Sequence, residues 1–512
     1  MSEKTRVTIV GAGLAGSIMA VYLGRRGWEV DVYERRADPR AVDGEALERR
    51  SINLGLSHRG IVALTRAGVL DRVLATSVKA KGRVIHASDG RVEFQPYGTD
   101  DRECLHSISR AELNRALIDR AVEYPGVRFH FGWRCESLDR DTGNAVFRDN
   151  DGVERAAEAD FVVGADGAYS AVRQLMHRNE RADFTQEFLP WGYKELTLPS
   201  GPDGRSPIEL EAMHIWPRGD ALGLTHPNPD GSHTVTIFLP WEGPRSFATL
   251  QTRDEVQAFF EATFPDMVPL VPHLADEFLA HPTGTLVSTR TAPWYHAGRV
   301  VLVGDGVHAV YPFYGQGMNA AMEDCAVLDA CLEASPDDRE AAFRAYQDAR
   351  KANTDALCDL VKQNFNELRD TANQPAFLVR KKMDLWLSRL FPGRWMPLYS
   401  MVVHTTMPYA EALARHRRQE RILSLLGVNA LLAVTIPAVL GARRAVRGGG
   451  SRPATPGAPA PRPPVAPDAS APRVAAVVPG DAAPRVPAAS LDAPAPRLQV
   501  VAADASAPSA QP

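Results

Sequence analysis

The strongest chemical signal stands near the start of the chain, where Gly11-Ala-Gly-Leu-Ala-Gly16 is followed, about 23 residues after Gly11, by Glu34. Gly11, Gly13 and Gly16 permit a tight turn and close backbone approach to a pyrophosphate, and an acid at that distance is placed to hydrogen-bond a ribose hydroxyl. The chemistry is dinucleotide binding, and these residues alone leave FAD and NAD(P) both open. Two later segments add to them. Asp166-Gly167 closes the apolar run that begins at Ala159, and Gly304-Asp305 closes the run that begins at Arg299 and leads on to Pro312-Phe-Tyr-Gly-Gln-Gly-Met-Asn319. Taken together, in this order, they are hard to explain as packing.

Such residues need elements to hold them. Arg6-Val-Thr-Ile-Val10 predicts a buried strand, Leu14 to Arg26 a helix with apolar residues three to four apart, and Glu29 to Tyr33 a second strand that delivers Glu34. This βαβ unit sets the glycines at a helix N-terminus, where unpaired N–H groups and the helix dipole favour an anion. The runs before Asp166 and Gly304 predict two further strands, and Ala320 to about Leu332 predicts a helix whose core side carries Met322 and Leu328, with Met318 just before it. His308 reads as a packing or hydrogen-bonding residue and not as a base.

With these motifs in order, the chain resembles the FAD-dependent aromatic hydroxylases, the para-hydroxybenzoate hydroxylase-like family of single-component monooxygenases. The resemblance implies an α/β fold: a Rossmann-like FAD-binding domain, a β-sheet substrate domain and a C-terminal helical region. In that family the first glycine motif takes the ADP part of FAD, the Asp-Gly motif lies near the pyrophosphate and the NADPH approach, and the Gly-Asp motif touches the ribityl chain. Carried over residue by residue, the implied FAD contacts are Gly11, Gly13, Leu14, Gly16, Glu34, Arg35, Gly55, Arg110, Asp166, Gly167, Asp305, Gln316, Gly317, Met318 and Asn319. No second GxGxxG follows, in keeping with a family that has no separate NADPH domain.

Arg50-Ser-Ile-Asn-Leu-Gly-Leu-Ser-His-Arg-Gly60, the stretch His106 to Asn114 and the stretch Pro312 to Asp324 are most similar to the branch of that family that hydroxylates L-kynurenine, in its order and across about residues 5 to 420. The branch implies L-kynurenine, NADPH and O2 as reactants, a flavin C4a-hydroperoxide as oxygen donor, no catalytic side chain and no metal. It implies that Arg83, Tyr97, Asn364 and Tyr399 hold the amino-acid carboxylate, for which an arginine fork and phenol or amide donors are suited. Phe313 and Tyr314 would line the aromatic pocket. The helix after Gly315 would turn its positive end to the flavin pyrimidine, an effect of roughly 0.3–2 kcal/mol on a negative charge. Gly55, Gly306-Val307 and Tyr314 depart from the pattern without removing a group the reaction needs. Two other functions stay open: hydroxylation of another anthranilate-like or phenolic ring, and a non-hydroxylating flavoprotein at a membrane. The product would enter tryptophan degradation toward pyridine nucleotides, or a secondary pathway.

Composition bounds the rest. Lys+Arg 58 against Asp+Glu 62 leaves a net charge of −4, with no basic footprint for nucleic acid. Cys104, Cys135, Cys325, Cys331 and Cys358 contain no CxxC pair, so neither a disulfide framework nor a zinc site is suggested. The expected FAD-binding domain comprises 1–75, 101–175 and 285–343, the substrate domain 76–100 and 176–284, and the helical cap 344–421. Residues 422–440 carry no charge and lie between Arg415, Arg417, Arg418 and Arg421 on one side and Arg443, Arg444 and Arg447 on the other. They make 422–442 a candidate membrane-associated helix, weakened by Ser424, Gly427, Asn429, Thr435 and Pro437. No aromatic residue follows Tyr409, and 15 of the 39 prolines lie beyond residue 450, so 448–512 is expected to be an extended, disordered Ala/Pro-rich tail. The first residues lack a signal-peptide layout, which leads to a cytoplasmic expectation, with membrane association as the variant and no export.

Overall fold

The computed structural model describes residues 4–41, 53–98, 103–367, 369 and 375–425. Short apolar runs rich in Val and Ile, buried on both faces, form a parallel sheet. Its order is Tyr295–His296, Val300–Leu302, Phe161–Gly164, Arg6–Val10, Glu29–Glu34, Val127–Phe131, and only the first of these runs antiparallel to its neighbour. Val10 pairs with Gly164 on one side and Tyr33 on the other, and Gly164 pairs with Leu302. The chain therefore leaves four adjacent strands at one edge, where Gly11, Arg35, Ala165-Asp166 and Val303-Gly304 follow. Ligands of open α/β sheets bind in the crevice outside such carboxyl ends.

A second sheet has seven strands in the order Gly284–Ala292, Asp183–Leu198, His233–Pro240, Leu222–Pro227, Ala212–Pro217, Gly82–His86, Val92–Pro96. Alternation along its strands gives it two different faces. Leu196, Leu198, Val235 and Trp216 pack against Phe260 and Phe278 from the helices Arg253–Thr263 and Leu274–Ala280. Trp191, Leu222 and Phe238 belong instead to a core shared with Phe313, Tyr314, Phe365 and Met401. The hairpin Gly82–His86/Val92–Pro96 is the far edge of this sheet, joined to it by a parallel pairing of Gly82 with Ala212.

Two helix boundaries differ from the sequence-based expectation. The helix expected from Ala320 begins at Gly317 and runs to Ala334. A 3-10 turn over Pro312–Tyr314 ends at Gly315 in the left-handed region, φ 63°, which reverses the chain and lets the helix start three residues early. Among the described residues, the cap expected to be helical from Arg344 comprises the helices Arg339–Asn366, Pro375–Leu390, Leu398–Val403 and 409–425. The first starts early because the Asp338 carboxylate accepts the Ala341 N–H at 2.9 Å as a cap. Pro392-Gly393, Pro397 and Pro408 punctuate the others, since proline cannot donate to the helix ladder. Arg50 to Ile52 of the motif above, the candidate membrane segment beyond Leu425 and the Ala/Pro-rich tail lie outside the described residues. Among the described residues no helix is long and apolar enough to cross a membrane.

Candidate active site

The sheet edge is shaped for a nucleotide. Gly11 has φ 103°, and a Cβ there would stand 2.5 Å from the Ala165 carbonyl oxygen. A Cβ on Gly13 would meet nothing within 4 Å, and Gly13 is followed by the helix Leu14–Arg25, whose first turn has no side-chain cap. Free N–H groups beside open space are what a phosphate group requires. Glu34 is buried at the same edge. Its Oε2 accepts the Ala12 N–H at 2.9 Å and its Oε1 accepts from Arg36 N and Nε at 3.0 and 2.8 Å. Burial opposes its charge, but the Arg36 hydrogen bonds hold the carboxyl below its usual range. Arg35 is exposed beside it.

The second motif does something the sequence did not suggest. Asp166 accepts from Ser170 Oγ at 2.5 Å, Ala171 N at 2.7 Å and Val172 N at 3.2 Å, so its carboxylate caps the helix Ala171–Met176. Burial raises this carboxyl above its ordinary value despite those donors. Gly167, at φ 86°, has open space where a side chain would stand. Asp305 opens a short helix, Asp305–His308, and is exposed to a cleft walled by protein. Burial in that cleft raises its carboxyl, while the charges of His308 and Arg110 pull the other way. Arg110 is the exposed first residue of the helix Arg110–Val122.

Asn319 stitches the third motif together. Its Nδ2 donates to the carbonyls of Gly55 and Gly315, both at 2.9 Å, and its Oδ1 accepts the Ser57 N–H at 2.9 Å. Gly317, Met318 and Asn319 thus form the first helical turn directly after the buried Gln316. The arrangement fits FAD: a phosphate-sized opening at Gly13, an acid at Glu34 and a second helix N-terminus at Gly317.

The residues expected to hold a carboxylate come from four distant elements. Arg83 lies in the strand Gly82–His86, its Nε donating to Gln95 on the paired strand at 3.1 Å. Tyr97 follows that second strand, is buried, and donates its hydroxyl to the Met213 sulfur at 3.1 Å. The Tyr97 ring stacks on Tyr399 with centroids 5.1 Å apart, and Tyr399 stacks on Tyr314 at 6.0 Å. Burial lifts the Tyr97 phenol to about 12, and the Arg83 charge acts against that rise. The same charge acts on Tyr314 and Tyr399, whose phenols burial also raises. One cation therefore serves three neutral phenols. Asn364 stands apart from this group in one respect, since its Nδ2 donates to the Phe313 carbonyl at 2.8 Å and so holds the aromatic turn. Phe313 packs on Phe365 at 4.5 Å and on Phe238 at 5.1 Å.

Sequence reasoning missed a chain of charges that joins the helix Gly317–Ala334 to its neighbours. His308 Nε2 donates to Asp324 Oδ2, which also accepts the Gly304 N–H at 3.2 Å. Arg350 Nε donates to Asp324 Oδ1 at 2.7 Å and its Nη1 to Glu323 at 2.5 Å. Glu323 is shared with Arg59, 2.8 Å away, whose guanidinium also donates to the Met407 carbonyl and lies over the Tyr409 ring at 3.9 Å. A sequence signal existed: Glu323-Asp324 interrupts an apolar helix, and buried acids require partners.

The FAD binding domain family model matches residues 4–360. Fold and site together define a flavin monooxygenase of the FAD-dependent aromatic hydroxylase class. The chain is 53% identical over 447 residues to kynurenine 3-monooxygenase of Salinispora arenicola, covering 87% of this chain and 98% of the relative. It is 40% identical over 432 residues to kynurenine 3-monooxygenase of Dictyostelium discoideum, covering 82% and 92%. The chain belongs to the kynurenine 3-monooxygenase family. In fold it is similar to 2-methyl-3-hydroxypyridine-5-carboxylic acid oxygenase, with TM-score 0.60, 23% identity, and 74% and 96% of the two chains covered. It is likewise similar to Pseudomonas aeruginosa PqsL in complex with 2-aminobenzoylacetate, with TM-score 0.58, 23% identity and coverage of 72% and 97%.

Proposed function

We propose that this enzyme converts L-kynurenine to 3-hydroxykynurenine, with FAD bound, NADPH as reductant and O2 as oxidant, giving NADP+ and water. The observation that carries the substrate is the convergence of Arg83, Tyr97 and Tyr399 beside Tyr314, next to the turn that starts the helix Gly317–Ala334. Bound FAD supplies the reduction by NADPH and the activation of oxygen. The chain's own residues bind and exclude. Arg83 offers its guanidinium to the amino-acid carboxylate, and Tyr97 and Tyr399, phenols that are protonated at neutral pH and that burial moves further from ionisation, serve as donors. Phe313 and Tyr314 shield the ring from water, with Asn364 fixing their backbone. The N–H groups of Gly317 to Asn319 lie where negative charge on a reduced flavin would be stabilised. The parallel sheet serves as the FAD-binding domain, the seven-stranded sheet as the substrate domain, and the helices after residue 344 as the cap.

Purified protein supplied with FAD, NADPH, O2 and L-kynurenine should yield 3-hydroxykynurenine, identified by mass, and little product from an analogue lacking the amino-acid carboxylate. Equal turnover of that analogue would move the assignment to another anthranilate-like or phenolic ring. Tightly bound FAD with no hydroxylated product would favour a non-hydroxylating flavoprotein.

Membrane association through 422–440 is a second reading, supported by Ile422 and Leu425, which are 42% and 64% exposed at the end of the described helix. Full-length protein should then sediment with membranes, and a chain ending at Arg421 should not. Identical partitioning of the two would remove this reading.

A further inference from the structure

The C-terminal segment reaches the flavin-facing turn through one hydroxyl. Tyr409 Oη donates to Gln316 Oε1 at 3.1 Å, and Ser57 Oγ donates to the same oxygen at 3.3 Å. The carboxamide Nε2 donates to the Gly315 carbonyl at 3.3 Å. Gln316 and Tyr409 have no exposed surface at all, so water cannot stand in for either donor. Gln316 is the residue from which the helix Gly317–Ala334 starts, and its own carbonyl accepts the Ala320 N–H at 2.8 Å. The Tyr409 ring is itself fixed, clamped under the Arg59 guanidinium at 3.9 Å, and Arg59 is tied to Glu323 of that same helix at 2.8 Å.

Resting on the reading of Gly315–Asn319 as the flavin-facing segment, we infer that Tyr409 is a positioning residue for the cofactor site, acting through Gln316. The cap is thereby part of the cofactor site as well as the roof over the substrate. A buried carboxamide that loses one of its two hydroxyl donors keeps its burial cost and gains freedom to rotate. The helix start that presents N–H groups to the flavin then loses its fixed geometry.

Tyr409→Phe tests this cleanly, because the ring under Arg59 stays and only the hydroxyl goes. In Tyr409→Phe holoenzyme the visible absorption bands of bound FAD should shift, the FAD dissociation constant should rise about three- to tenfold, as expected for one buried hydrogen bond, and more NADPH should be consumed per hydroxylated product. The melting temperature of the FAD-free form should stay within a few degrees of wild type. An unchanged flavin spectrum, FAD affinity and coupling ratio would overturn the inference. If Tyr409→Phe fails to fold, Ser57→Ala removes the other donor to the same oxygen, and the same shifts are expected at smaller size; their absence is equally decisive against it. Wild-type protein that does not retain FAD would overturn the flavin reading of the segment, and the role of Tyr409 with it.

Discussion

Arg83 is the one guanidinium acting on three buried phenols, and its loss should be felt by substrate far more than by cofactor. Arg83→Ala should raise the KM for kynurenine about ten- to hundredfold, the range for a lost charge-assisted hydrogen bond, while the FAD content of the purified protein is unchanged. Arg83→Lys should recover little, because an ammonium cannot present a planar fork to a carboxylate. Steady-state kinetics with flavin quantified by absorbance checks both. At this scale the sequence was most legible where chemistry is contiguous: Gly11, Gly13, Gly16 and Glu34 announce themselves by spacing within a single βαβ unit. Arg59, Arg350 and Tyr409 did not, since each is an ordinary residue until the fold brings it to a partner that sequence spacing does not reveal. Asp166 adds a contact that its motif did not announce, since its carboxylate accepts the first N–H groups of the helix Ala171–Met176 as a cap.

Among the elements, the short helix Ala171–Met176 depends on that cap. Asp166→Ala should destabilise the protein by about 1 kcal/mol, within the usual cost of a lost cap, and the fall in melting temperature should appear with and without FAD; a fall seen only in the holoenzyme would make Asp166 a cofactor ligand first. The seven-stranded sheet carries a separate liability in its buried histidines. His214 hydrogen-bonds His86 and the Glu209 carbonyl, both at 2.9 Å, and His233 meets Ser206 Oγ at 2.9 Å. Burial lowers His214 to about 4 and His233 to about 3. An unfolded histidine takes up its proton near pH 6.5, so between that pH and about 4 the unfolded chain holds more protons and stability falls as the medium is acidified. Each histidine steepens the fall by up to about 1.4 kcal/mol per pH unit. Melting temperature should therefore drop progressively from pH 7 to 4.5, and His233→Asn should flatten the slope. The resemblance implied a substrate sheet but not which of its faces is dry, because that depends on the helices Arg253–Thr263 and Leu274–Ala280 packed on it. Helix starts were displaced for a similar reason: the turn at Gly315 is set by its left-handed backbone, which apolar spacing does not encode.

For the whole molecule, the proposed substrate and cofactor residues come from the strands near Arg83 and Tyr97, a turn at Phe313, and helices bearing Asn364, Tyr399 and Tyr409. A chain ending at Leu425 keeps every one of them and should retain FAD and hydroxylate at a rate within about twofold of full length. A chain ending at Trp395 lacks both tyrosines and should lose hydroxylation, even though the complete parallel sheet remains. Product formation and flavin content in the two truncations check this. The strands that carry the three motifs were readable from their succession, but the contact between Gln316 and Tyr409, 93 residues further along the chain, was not. That contact bears on biosynthesis. Gln316 takes its donors from Ser57 and Tyr409, so the glycine turn and the parallel sheet leave the ribosome before the proposed flavin segment has its last hydrogen bond, and the proposed role of Tyr409 makes tight flavin loading an expected late event.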